Sequence, residues 1–177
     1  SGDTFERLRT IQGHQGFVKG VAFDPVDQFL ATASDDKTVK IWRTSDWGLE
    51  KSVSEPFRTS PSSSFFRRPA WSPDGANLLT ANAMNGPVFV STAIKRLAWS
   101  FDTSLVGHEN AVVVVASTPR LFRGVNGQEV STVVALGSQD QSVSVWITGL
   151  PRPVLVALDV FERHVMDLSW SADGYTL

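Results

Sequence analysis

Hydrophobic positions along the chain fall in short runs separated by polar turn formers. Val18–Phe23, Phe29–Ser34, Val39–Arg43 and Leu49–Ser54 are rich in β-branched and aromatic residues, and Asp24-Pro25 and Asp35-Asp36 punctuate them. Runs of this length and composition predict four consecutive antiparallel strands. A second set follows in Phe66–Trp71, Asn77–Ala81, Val88–Thr92 and Ala98–Leu105, with Ser72-Pro73-Asp74-Gly75 as its first turn. A third set runs from Val112 through Phe161, and a fourth opens with Val165–Trp170 and the turn Asp173-Gly174.

The sets repeat one another. Gly13-His14 is followed by Ser34-Asp35-Asp36 and Trp42, and Gly107-His108 by Ser138-Gln139-Asp140 and Trp146. The two Gly-His pairs stand two units of about 47 residues apart, slightly more than the roughly 40 to 45 of a WD-type blade. The pattern predicts an all-β WD40 β-propeller fragment, with three four-stranded blades plus parts of two flanking blades. Residues 1–12 read as the outer strand of a preceding blade, 13–55 as a blade with the full motif, and 56–106 as a degenerate blade. Residues 107–160 form a blade with an insertion at 118–130, and 161–177 start a further one. Propellers close with four to eight blades, so these blades do not make a ring alone.

Composition narrows the function classes. Charged residues make up 19% and the net charge is −2, which gives no nucleic-acid footprint. Cysteine is absent, which excludes a disulfide-held scaffold. No apolar run is long enough to span a membrane. The three histidines come from separate repeats, so no zinc-type ligand pair exists, and no Gly-rich phosphate loop or nucleophile elbow appears. No cofactor, small-molecule substrate or enzymatic activity is expected.

His14, Asp36 and a neighbouring hydroxyl resemble hydrolase chemistry, but a structural reading accounts for them better. In a WD blade the His, a second-strand hydroxyl, the turn Asp and the third-strand Trp make a buried hydrogen-bonded chain. The candidates are His14, Thr32, Asp36 and Trp42, with Ser34 as an alternative to Thr32 because alternate strand residues share a face. Asp35 is expected on the solvent side of the turn. The later blade keeps His108, Asp140 and Trp146, but Leu136 stands at the position of Thr32, so a shorter chain with Ser138 as its hydroxyl is expected. The middle blade has none of these residues and is expected to rest on packing.

Three features exceed what a blade requires. Pro56–Pro69 is a Ser/Pro-rich connection, read as a solvated loop with its Phe side chains tucked under the blade, or as a partner-binding or phosphorylated loop. Thr118–Val130, with Arg120, Arg123 and Asn126, reads as a mobile loop. Ala83-Met84-Asn85-Gly86-Pro87 replaces the usual turn and places Met84 on the rim.

Several segments carry a more specific likeness. Trp42–Phe57, Trp71–Gly75, Ala81–Pro87, Leu105–Val112, Gly137–Trp146 and Arg152–Trp170 resemble the N-terminal propeller of the HIRA/Hir histone chaperones. The resemblance implies a nuclear, non-enzymatic scaffold subunit in replication-independent nucleosome assembly and histone-gene repression. It also implies docking of a ubinuclein/Hpc-type subunit and other Hir-complex subunits on the propeller. Histones H3–H4 and an Asf-type chaperone are expected to engage regions outside these residues. The alternative is another WD40 scaffold, such as a ubiquitin-ligase substrate adaptor. Loops on one rim, carrying Phe17, Lys37, Arg67, Arg68, Met84, Glu109, Gln139 and Arg163, are the expected partner-binding face.

Overall fold

The computed structural model describes residues 9–101, 103–124 and 130–177. Its first sheet has the order β1-β2-β3-β4, formed by β1 (Val18–Phe23), β2 (Phe29–Ser34), β3 (Val39–Arg43) and β4 (Leu49–Val53). The second is β5-β6-β7-β8, formed by β5 (Ala70–Trp71), β6 (Asn77–Asn85), β7 (Val88–Lys95) and β8 (Thr103–His108). The third joins β9 (Val112–Ser117), β12 (Val133–Ser138), β13 (Val143–Ile147) and β14 (Leu155–Ala157). Between β9 and β12 the insertion folds into a small hairpin of β10 (Phe122–Arg123) and β11 (Val130–Ser131). All strand pairs within these sheets are antiparallel. The fold is a run of WD40 propeller blades.

The strand β6 is buried on both faces because the second sheet is packed between the first and the third. In β6, Leu78 joins a core with Ala31, Ile41, Val53 and Phe57 of the first sheet region. Its neighbour Leu79 faces the other way, into a core with Val112, Val134, Leu136 and Trp146 of the third sheet. A strand buried on both sides reads as a continuous apolar run without alternation.

The innermost strands pack closely enough for backbone contact between sheets. The Arg67 amide donates to the Lys19 carbonyl, and the Arg68 amide to that of Val113. A Cβ at Gly20 would lie 1.9 Å from the Arg67 carbonyl oxygen. Only glycine allows the first two sheets to meet there. Indole donors add a second tie, Trp71 Nε1 to the Ala22 carbonyl at 3.2 Å and Trp170 Nε1 to that of Ala116 at 3.0 Å.

Several expectations need correction. The Ser/Pro connection is not a solvated loop: Phe57, Ser60, Ser64 and Arg67 are buried, and only part of it, including Phe65, faces solvent. The strand expected over Phe66–Trp71 is confined to Ala70–Trp71, because residues 67 and 68 bond to the flanking sheets instead. The outer strand expected at Ala98–Leu105 lies at Thr103–His108, since Leu97 and Trp99 at positive φ belong to the preceding turn. The β6–β7 hairpin is longer than expected, and a bulge between Thr80 and Ala83 places Asn82 at φ 58°. Of the strand expected within residues 1–12, residues 1–8 lie outside the described residues and 9–12 are irregular. Residues 158–177 form turns without a strand, although Val165 and Trp170 are tied to the third sheet.

Candidate docking rim and the polar chains beneath it

Behind the rim of the first sheet, His14 lies between Asp36 and Thr32. Its Nδ1 is 2.8 Å from Asp36 Oδ2 and its Nε2 2.7 Å from Thr32 Oγ1, while Trp42 Nε1 donates to the same hydroxyl at 2.8 Å. Donor bookkeeping sets the direction. The indole donates to the Thr32 hydroxyl, which also reaches the Lys40 carbonyl at 3.4 Å, and Nδ1–H donates to the carboxylate, which can only accept. Asp36 also accepts the Gln15 amide and the Thr38 amide and hydroxyl. Burial opposes its ionisation, but the Thr38 hydroxyl, the Gln15 amide and His14 outweigh it and hold its pKa at about 2. Ser34, the alternative hydroxyl, instead accepts the Asp36 amide.

In the third sheet the chain differs from expectation. His108 Nδ1 is 2.7 Å from Ser142 Oγ and Nε2 2.7 Å from Ser144 Oγ, and Trp146 Nε1 donates to Ser144 at 2.8 Å. Ser142 in turn donates to Asp140. The chain is therefore not shorter: it has two hydroxyls, as in the first sheet, where Thr38 Oγ1 lies 3.2 Å from His14 Nδ1 and donates to Asp36. Ser138 is not part of it, because its hydroxyl donates to the Asn110 and Ala111 carbonyls. The register explains the exchange: Leu136 pairs with Ser144, so the hydroxyl lost from the second strand is supplied by its cross-strand neighbour. Ser142, just before β13, and Ser144 and Trp146 within it stand at alternate positions and share a face. That period-two pattern was the signal available in the sequence. Burial pushes the His108 pKa down, with Asp140 opposing, which favours the neutral ring.

The middle sheet lacks a Trp-His chain but does not rest on packing alone. Arg67 is 2% exposed and donates to Asp35 Oδ1 at 3.3 Å, Ser60 Oγ at 3.4 Å and the Pro61 carbonyl at 3.1 Å. Asn82 donates to Ser64 and to the same Pro61 carbonyl. Burial pushes the Arg67 guanidinium pKa down, and Asp35 opposes it. Asp35 therefore does not sit on the solvent side of its turn, since it also pairs with Lys19 at 2.8 Å. Arg67 is likewise removed from the candidate docking residues, because its side chain is inaccessible. A polar bridge holds the Ser/Pro connection against the first sheet.

The other rim candidates fall into two groups and one outlier. Phe17 is 81% exposed beside the Asp35 turn, and Lys37 donates to the Arg58 carbonyl, which borders the same groove as Met84. Met84 is half-buried. Around the third-sheet turn, the Glu109 amide donates to Asp140, the Gln139 amide bonds the Ala111 carbonyl, and Arg163 lies near Gln141. Arg68 points elsewhere, into an inner cavity of about 550 Å³ lined by Val18, Phe66, Val114 and Leu168. There it pairs with Asp167 at 2.6 Å and stacks on Phe66. On the insertion, Arg120 is exposed and Asn126 lies outside the described residues. Among the described residues, no group of three or more His, Cys, Asp or Glu side chains is arranged to hold a metal.

The WD40 family model, described as WD domain, G-beta repeat, matches residues 5–43. Protein HIR1 of Mycosarcoma maydis is 71% identical over 177 residues, covering 100% of this chain and 17% of that protein. Protein hir1 of Schizosaccharomyces pombe is 48% identical over 177 residues, covering 100% and 19%. The chain thus spans less than a quarter of the length of these relatives. Two solved structures, "Structure of U3-55K" and "Crystal structure of RRP9 WD40 repeats", align with TM-scores of 0.64 and 0.63 at 20% identity. They cover 85% of this chain and 42% and 41% of their own, and at that identity they speak to the fold alone. With likeness to HIR1 proteins extending over the whole chain, this chain belongs to the HIR1 family as a WD40 stretch.

Proposed function

We propose that these blades serve as a docking platform in a non-enzymatic subunit of a nuclear HIR/HIRA-type histone chaperone complex. In this reading the parent protein acts in replication-independent nucleosome assembly and histone-gene repression. The observation that carries it is the 71% identity to Protein HIR1 of Mycosarcoma maydis over the whole chain, irregular loops included. The supporting physical argument is that His14, Asp36, His108 and Asp140 spend their polar groups on holding strands together. Scaffold function then resides in the exposed rim. Phe17 and Met84 are the anchors favoured there, because interface centres are enriched in aromatic and Met side chains.

The partner assigned to this rim is a ubinuclein/Hpc-type subunit, with H3–H4 and an Asf-type chaperone engaged through other parts of the parent. Affinity capture with the full-length protein tests this. Phe17→Ala together with Met84→Ala should weaken recovery of the ubinuclein-type subunit without lowering the melting temperature, whereas Arg120→Ala should leave recovery unchanged. The reverse pattern would move the docking face to the other rim. Failure of the unaltered protein to recover that subunit would remove the chaperone assignment.

A further inference from the structure

A groove of about 500 Å³ lies where two irregular parts of the chain meet. One wall is the single 3₁₀ turn Glu55–Phe57 and the following Arg58-Thr59, and the other is the β6–β7 hairpin with the start of β8. The hairpin reaches beyond its counterparts: β6 has 9 residues and β7 has 8, against 6 and 5 in β2 and β3 and again in β12 and β13. The bulge at Asn82 redirects the extension, as bulges do when they re-aim a strand. Buried Asn82 then fixes the Ser/Pro connection through Pro61 and Ser64. Both walls are thus held in place by buried polar contacts. Pro56, Met84 and Phe101 supply the groove's apolar lining among polar neighbours. Phe101 also packs against the core shared by the first two sheets.

Charge at the groove is uneven. Lys37 Nζ donates to the Arg58 backbone carbonyl at 3.1 Å, and Arg58 lines the groove, so two basic residues border it. Neither has a carboxylate partner among the described residues, unlike Lys19, Arg43, Arg67, Arg68 and Arg96, each of which pairs with an Asp or Glu. Glu55, exposed on the 3₁₀ turn, is the anion of the groove wall.

We propose that this groove binds a short peptide segment of a partner protein through one carboxylate and one large apolar side chain. The carboxylate meets Lys37 and Arg58, and the apolar side chain fills the space over Met84 and Phe101. Glu55 repels a second acid and so sets the direction in which the segment lies. Complementary charge governs encounter and register while the apolar anchor supplies the lasting contact. The assignment concerns the chemistry of the bound segment and holds whichever subunit carries it.

Selection of a random peptide display library against the full-length protein tests the proposal, with the Lys37→Glu/Arg58→Glu variant as counter-target. Enriched peptides should share an Asp or Glu and a large apolar residue. Synthetic copies should bind the unaltered protein about tenfold or more tighter than the charge-reversed variant, with the difference shrinking as salt rises. Met84→Ala should weaken the same peptides, and both variants should keep the melting temperature of the unaltered protein. Enriched peptides lacking a carboxylate, or binding indifferent to the Lys37 and Arg58 changes, would overturn the assignment. A groove already filled by a second copy or by another part of the chain gives no enrichment, which overturns it as well.

Discussion

Asp35→Ala is the substitution on which the sequence and the structure disagree most sharply. As a turn residue facing solvent it would change stability by no more than about 0.5 kcal/mol. In the structure its carboxylate is the counter-charge of Arg67, whose side chain is 2% exposed, and it also holds Lys19 at 2.8 Å. Removing it leaves the guanidinium with only two neutral acceptors, Ser60 Oγ and the Pro61 carbonyl. Breaking a buried pair from one side costs about 3 to 5 kcal/mol. Asp35 itself is 21% exposed, so water enters the vacated space and screens part of that loss. The expected cost is about 2 to 3 kcal/mol after this discount.

The assay is urea unfolding of the full-length protein, read as a midpoint shift at unchanged slope. Arg67→Met removes the charge and keeps most of the apolar stem. Asp35→Ala/Arg67→Met should therefore be more stable than Asp35→Ala alone. A midpoint for Asp35→Ala indistinguishable from the unaltered protein, or a double variant no better than the single, would refute the ion-pair account.

Other expectations follow from the same geometry. Gly20→Ala places a methyl against the Arg67 carbonyl and should cost about 3 kcal/mol or more, seen as a lowered melting temperature. Ser144→Ala deprives both the Trp146 indole and His108 of a partner and should cost about 1 to 3 kcal/mol, and adding Leu136→Thr across the strand pair should recover part of it. Asp36, depressed from 3.8 to about 2, contributes stability that is present above pH 3.8 and is lost as pH falls through about 2. That contribution is about 2 kcal/mol. The unfolding midpoints of the unaltered protein and of Asp36→Asn should therefore converge across that window.

The first blade was legible because each of its cues is local. Asp24-Pro25 and Asp35-Asp36 mark its turns, and β1, β2 and β3 run where the alternating and branched residues place them. The middle blade was less legible because its boundaries are set by tertiary contacts. Arg67 and Arg68 fall within the stretch expected as a strand, yet their amides bond to Lys19 and Val113 of the two adjacent sheets. The end of β6 was hidden for a related reason. Asn82 reads as a turn former, but its left-handed backbone makes a bulge inside a strand that continues to Asn85.

The same distinction explains what could be read of the polar chains and of the rim. A His, a Thr, an Asp and a Trp at blade spacing come together in the first sheet because one period-two register places them on one face. In the third sheet the chemistry is retained while the residue supplying it moves from the second strand to the third, which linear comparison with Thr32 misses. Cross-strand pairing makes Leu136 and Ser144 neighbours, so a hydroxyl on either can reach the imidazole. Arg67 shows the opposite limit. A basic residue after a Ser/Pro-rich stretch looks like surface, and nothing within that stretch reveals the carboxylate 32 positions earlier that makes its burial tolerable. An unpaired buried guanidinium would be prohibitively costly, so the position of Arg67 requires Asp35 to face inward. The Ser/Pro connection is consequently a part of the blade-to-blade contact, held there by the buried bridge from Arg67 to Asp35, Ser60 and Pro61.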